Sequence, residues 1–236
     1  MVANDTLRLK KSKKQHQTMD EKLNTLRAGV LGSNDGILTV VGVLFSVAAA
    51  TTNQFTIFIA GLSDLIACAF SMASGEYASV STQKDTERAA VAKEAELLKT
   101  NFDDELATVQ KFYEGRGVTP ATSLAIAKDL MSKNALETIV EVKYDIKLGH
   151  YMNPWDAAFS SLFSASAGGV FPLVAMTFLP VAWQWPGTII AVILSVALTG
   201  FLSAKLGHGL VKTAIVRNIV VGIITMFIHY YVGQLF

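Results

Sequence analysis

At 236 residues, with 51% apolar and only 17% charged side chains and a mean hydropathy of +0.40, this chain is too apolar for a soluble domain of its size. Its net charge of +1 conceals an uneven distribution, with basic residues crowded over 8–14, mixed charges over 84–156 and little charge elsewhere. The balance leaves no footing for a nucleic acid, and the single cysteine, Cys68, excludes an internal disulfide and reads as a small core-packing residue.

Residues 1–25 read as a basic, disordered cytoplasmic tail held near anionic lipid, with no signal carrying a small-residue cleavage site before the first span. Apolar windows of about 20 residues predict membrane helices over 27–50, 55–80, 157–180, 184–204 and 213–235. The domains are then 26–82 with the first two spans, 83–153 as a helical insert, and 154–236 with the last three. Loops 51–54 and 180–186 lack Lys and Arg, whereas the tail, the insert and 205–212 carry them. The positive-inside bias therefore sets the N-terminus in the cytoplasm and the C-terminus outside. Within the insert, Leu97, Leu98, Phe102, Leu106, Val109 and Phe112 recur at helical spacing. The second span is expected to continue as a helix through 94–98. Further helices are expected over 102–114, from Thr119 and Pro120, and from Asn134 towards Leu148. The fold class is all-α, an integral membrane protein with five transmembrane helices and a cytoplasmic helical insert between the second and third.

Two spans carry acids where hydrocarbon should forbid them. Asp35, Asp64 and Glu76 lie inside or at the edge of apolar helices, a position that marks an ion path or a buried pair. Asp35 lies about 12 Å past Arg27 along a helix, too deep for its short side chain to reach the interface. It must face a wet cavity, a cation or a partner, or be protonated. Alternatively the turn-like sequence Asn34, Asp35, Gly36 unwinds the helix, and an unwound turn would itself offer carbonyls to a cation. Met72 and Glu76 are one turn apart on one face of the second span, with Asp64 two turns further outward. A thioether beside carboxylates suits a late transition metal better than Mg²⁺ or Ca²⁺. Read plainly, Met72 is packing and Glu76 an interfacial residue.

Gly61, Ala67, Ser71 and Gly75 on the second span, and SASAGG at 164–169, predict close helix packing, compatible with dimer contact. His150, His208 and His229 are too scattered for one site. Arg217 and Asn218 within the fifth span call for an acid, a cavity or a carbonyl. No glycine-rich phosphate loop supports drive by ATP.

The segments RAGVLGSNDGILTVVGVLFSV (27–47), GLSDLIACAFSMASGEYASVSTQKDTE (61–87) and PWDAAFSSLFSASAGGVFPL (154–173) closely resemble the vacuolar iron transporter family. That family includes yeast calcium cross-complementer proteins and plant nodulin-like members. SMASGEYASVSTQKDTE is the most specific stretch, and the resemblance extends over nearly everything after residue 25, including FYEGRGVTPATSLAIAKDLM in the insert. It implies a homodimer with five spans per subunit that moves Fe²⁺, and often Mn²⁺, out of the cytosol in exchange for protons. Its implied partners are divalent transition-metal ions, protons and the bilayer, with no permanently bound cofactor. Asp35 and Met72 occupy the motif positions that line the family's path, Glu76 falls in its GEY motif, and Asp64 is a more loosely matched polar position.

The family's insert gathers metal through glutamates spaced ExxE, joined by a Met and a Glu from a later helix. Glu94 and Glu105 stand where the first members of two such pairs are expected, but their partners are Leu97 and Thr108. Met131 matches the later Met, while Lys143 takes the place of the later acid, flanked by Glu141 and Asp145. Glu94 and Glu105, helped by Glu87, Asp104 or Glu141, form a weaker or rearranged metal site, or else these acids are a solvated face.

The reading is a transporter and not an enzyme, with Asp35, Asp64, Met72 and Glu76 on its path. Its competitor is a membrane-embedded metal-binding or sensing protein without net transport. An aspartyl dyad of Asp35 and Asp64 is set aside, because the two acids sit in different motifs and helix contexts. The divergent insert favours a bacterial plasma membrane over a vacuolar one.

Overall fold

A computed structural model describes residues 19–235. Among the described residues the chain forms seven helices: α1 (Met19–Ala50), α2 (Gln54–Thr100), α3 (Phe102–Glu114), α4 (Pro120–Tyr144), α5 (Pro154–Phe178), α6 (Val181–Leu206) and α7 (Val211–Gln234). They divide into two compact units, one built from the residues up to Tyr77 together with those from Pro154 onward, the other from Ala78–Asn153. Helices α1, α2, α5, α6 and α7 are long and apolar enough to cross a membrane.

The five predicted spans are present, but two boundaries move. Residues 19–25, expected to belong to a disordered tail, are the first turns of α1. Charged residues do not stop a helix when neither Gly nor Pro interrupts it, and none stands between Met19 and Ala28. Residues 1–18, with the basic run at 8–14, lie outside the described residues. The insert begins at Ala78, five residues before the expected 83, because α2 runs through the boundary without a break for 47 residues. At 1.5 Å per residue that is about 70 Å, more than twice the thickness of a bilayer's hydrocarbon.

Helix α1 is the centre of the first unit, packing on α5, α6 and α7. Its buried Ile37, Val40, Val41 and Leu44 meet Leu173 and Met176 of α5, Val192 and Val196 of α6, and Met226 of α7. The crossing of α1 and α5 is a contact between backbones. A Cβ added to Gly36 would fall inside the Ala165 carbonyl, and one on Gly168 would lie 2.5 Å from the Ser33 carbonyl oxygen. SASAGG thus supplies the close approach that small residues permit between membrane helices. The same contact accounts for Gly36, which serves packing and not a turn, since α1 stays helical through Asn34, Asp35 and Gly36 and no unwound carbonyls appear there. The small stripe on α2 behaves unevenly: Gly61 packs on Leu44 and Leu173, whereas Gly75 faces open space, and Ala67 and Ser71 are exposed.

In the second unit, α3 ends at Gly115 and a left-handed Gly117, and α4 starts with Pro120 in its first turn behind an extended Thr119. The two helices expected from Thr119 and Asn134 are one element, bent at Asn134 where φ is −143° and ψ 63°. Val109, Ala127, Met131, Ile139, Val140 and Ile146 form the core of this unit.

Overpacking at a backbone crossing typically costs about 1–3 kcal/mol or more. Gly36→Val is therefore expected to lower the melting temperature of the purified protein sharply, whereas Gly75→Ala leaves it equal or slightly raised. Thermal unfolding of the two variants side by side checks this.

Candidate functional site

The second span presents a row of functional side chains at four-residue steps, Asp64, Cys68, Met72 and Glu76. In a helix such a row winds slowly around one face, and here it passes Asp35 of α1. The Cys68 thiol donates to Asp35 Oδ2 across 3.4 Å, while Thr39, one turn on, caps the Asp35 backbone carbonyl at 3.0 Å. Cys68, expected to be inert packing, is therefore the direct partner of Asp35. Its spacing of four from both Asp64 and Met72 was the sequence signal that it belongs to the row.

Asp64 is half-buried, and its Oδ2 is enclosed without a hydrogen-bond partner. Asp35 and His229 both lie within electrostatic range of its carboxylate. His229 comes from α7 and packs its ring over Gly42 of α1, with Nδ1 3.4 Å from the Ser46 hydroxyl. Nothing in the sequence links His229 to Asp64, since the two come within electrostatic range only through the packing of separate helices.

Glu76 is 8% exposed and forms an ion pair with Arg27 of α1 at 3.4 Å. Arg27 also donates to Asn24 Oδ1 at 3.1 Å, so the guanidinium that marks the end of the first span neutralises the acid of the GEY motif. Met72, half-buried, lies between Cys68 and Glu76 along the row. On α7, Arg217 is exposed and Asn218 donates to the Val196 carbonyl at 3.4 Å.

A separate cavity of about 660 Å³ opens between α1, α5 and α6. Its polar lining includes Ser33, Ser160, Ser164 and Thr199, with Ser33 and Thr199 in hydroxyl contact at 3.1 Å. Asp35, Met72 and Glu76 are not among its walls. Asp35 is instead turned towards Cys68 of α2, whose membrane portion also exposes Phe55, Ile59, Ile66 and Phe70.

In the insert, Glu94 is fully buried and Glu105 is 5% exposed. Both face Lys143, whose Nζ lies 2.9 Å from Glu94 Oε2 and 2.5 Å from Glu105 Oε2. The Tyr144 hydroxyl donates to Glu94 Oε1 at 2.8 Å. Burial disfavours the Lys143 ammonium, but Glu105 and Glu94 outweigh it and hold the group above the ordinary lysine range. The hydrogen bond to Glu94, aided by burial, pushes the Tyr144 hydroxyl up as well.

The other insert residues named from sequence do not join this cluster. Glu87 accepts from Gln83 at 3.0 Å, Glu141 and Asp104 are exposed, and Met131 is packed in the apolar core of the unit. Among the described residues, no three His, Cys, Asp or Glu side chains converge closely enough to hold a metal ion.

The model of the VIT family matches residues 26–234. The chain belongs to the VIT family. It is similar to a vacuolar iron transporter of Acanthamoeba castellanii, 37% identical over 77% of this chain and 67% of the relative. It also resembles two plant proteins named as vacuolar iron transporter homologs. Homolog 1 of rice is 30% identical over 89% of this chain and 73% of its own length. Homolog 2.1 of Arabidopsis thaliana is 26% identical over 92% and 83%. Five apolar helices in a VIT family chain make this a multi-pass integral membrane protein.

Breaking a buried ion pair from one side costs about 3–5 kcal/mol, because the remaining charge is left uncompensated. Lys143→Met is expected to loosen α3 and α4 on that scale, seen as faster amide exchange there, with Lys143→Arg closer to wild type. The sign with pH follows from the raised lysine. The tie is fully present below the ordinary lysine range and is lost as pH climbs through the higher folded value. Exchange protection of α3 and α4 should accordingly hold from neutral pH up to the lysine range and fall only above it.

Proposed function

We propose that this VIT family protein carries a divalent transition-metal ion, Fe²⁺ or Mn²⁺, out of the cytosol in exchange for protons. The observation that carries the reading is the placing of Asp35 against the row Asp64, Cys68, Met72 and Glu76 inside two membrane-crossing helices. The names of the relatives support iron as cargo.

Carboxylates with a thiol and a thioether form a mixed hard and soft donor set, which favours late transition metals over Mg²⁺. By the positive-inside bias, the Arg27 end of α1 faces the cytosol, so metal arrives at Glu76 first. Entry there replaces Arg27 as the counter-charge of Glu76. The ion then passes Met72 to Asp35, the deepest acid of the row's neighbourhood. Protons reach Asp64 from the opposite side, where His229 and Ser46 stand. Protonation of Asp64 or Asp35 weakens their hold on the metal, so the two cations compete for the same carboxylates. The unpartnered Asp64 Oδ2 supports such a role, because a buried acceptor without a donor is satisfied by a proton or a cation.

The exposed small residues Ala67 and Ser71 beside this row support a homodimer with α2 near its axis. The C-terminus is placed outside, and the divergent insert favours a bacterial plasma membrane over a vacuolar one.

Wild-type protein in liposomes with an imposed pH gradient should accumulate Fe²⁺ or Mn²⁺, and dissipating the gradient should abolish uptake. Asp35→Ala is expected to cut flux by at least about tenfold, the scale on which even outer partners of a bound metal act. Saturable binding by the folded wild type with no flux would replace the transporter with a membrane-embedded metal-binding or sensing protein.

A further inference from the structure

The charged centre of the insert is assembled from three helices. Glu94 comes from α2, Glu105 from α3, and Lys143 with Tyr144 from the last turn of α4. Two carboxylates withdrawn from water repel each other, and each needs a counter-charge or a proton. A divalent cation between them would meet that need, and so does an ammonium. Here the ammonium is in place, in contact with both acids, and the fourth group, the Tyr144 hydroxyl, is spent on the remaining Glu94 oxygen.

For a divalent ion to enter, Lys143 would have to leave, because two cations cannot share the space between one pair of carboxylates. Lys143 is tethered beside the acids by its own helix, so its local concentration is high whatever the metal supply. With Lys143 gone, Glu94 and Glu105 would hold an ion whose remaining ligands are water, since Glu87 is engaged by Gln83, Glu141 is exposed and Met131 is packed in the apolar core.

We propose that Lys143 is the resident cation of the insert, closing the Glu94 and Glu105 pair to divalent metal. The insert of this chain is then a helical unit tied by its own charges, and the path on α1 and α2 is loaded without it. This goes beyond the transport reading and stands or falls separately.

Mn²⁺ bound to the full-length protein in lipid nanodiscs, read from the loss of the free-ion paramagnetic resonance signal, tests it. Asp35→Ala provides a background with the membrane path weakened. Adding Glu94→Gln to that background should leave the Mn²⁺ stoichiometry unchanged. Adding Lys143→Met instead should create one new Mn²⁺ site per chain, and Glu94→Gln should remove it again. A Mn²⁺ site lost on Glu94→Gln while Lys143 is intact would overturn the proposal. So would a folded Lys143→Met protein that gains no site. Where Lys143→Met does not fold, the comparison with Lys143 intact decides alone. Gradient-driven flux of the wild type is read independently, and its absence would sink transport without touching this stoichiometry.

Discussion

The contact of the α1 backbone with the α5 backbone governs the first unit. Where Gly36 meets the Ala165 carbonyl and Gly168 meets the Ser33 carbonyl, no side chain separates the helices. In a membrane, where lipid offers no hydrophobic drive to helix association, such close packing supplies the dispersion that holds helices together. It also fixes rotation. With Gly36 turned to α5, the adjacent Asp35 is carried about 100° around the helix, towards Cys68 of α2. A larger residue at position 36 would move that carboxylate as well as the crossing.

Burial of charge is then handled differently along the chain. Near the end of the first span, Glu76 is neutralised by Arg27 through a half-exposed guanidinium. Deeper in, Asp35 accepts from the Cys68 thiol and Asp64 keeps one enclosed oxygen without a hydrogen-bond partner. In the insert the opposite holds, and Glu94 and Glu105 are closed by an ammonium and a phenol. A completed environment is what a structural tie requires.

Some of the site is legible in the sequence itself. An acid in the middle of an apolar span is costly enough to announce itself, so Asp35, Asp64 and Glu76 stood out by depth alone. Helical spacing added Met72, one turn from Glu76, and the family motifs named Glu94, Glu105 and Met131. Cys68 did not stand out, because a small thiol in an apolar run has the composition of packing whether or not it touches a carboxylate. His229 was hidden for another reason, since it comes within electrostatic range of Asp64 only where α7 is laid beside α1. Lys143 was visible as a departure from the motif, but not as the group that contacts both glutamates.

Sequence alone determined the five apolar helices and the break at the Gly115 to Gly117 turn. These depend on local quantities: apolar length against the thickness of hydrocarbon, and the backbone preferences of Gly and Pro. Tertiary structure decided which partner each buried charge obtained, that Asn34 to Gly36 remained helical, and which of two small-residue stripes became a contact. Those outcomes depend on the rotation of one helix against another. Residues far apart in the chain set it, through the fit of side chains and backbones that no single segment encodes.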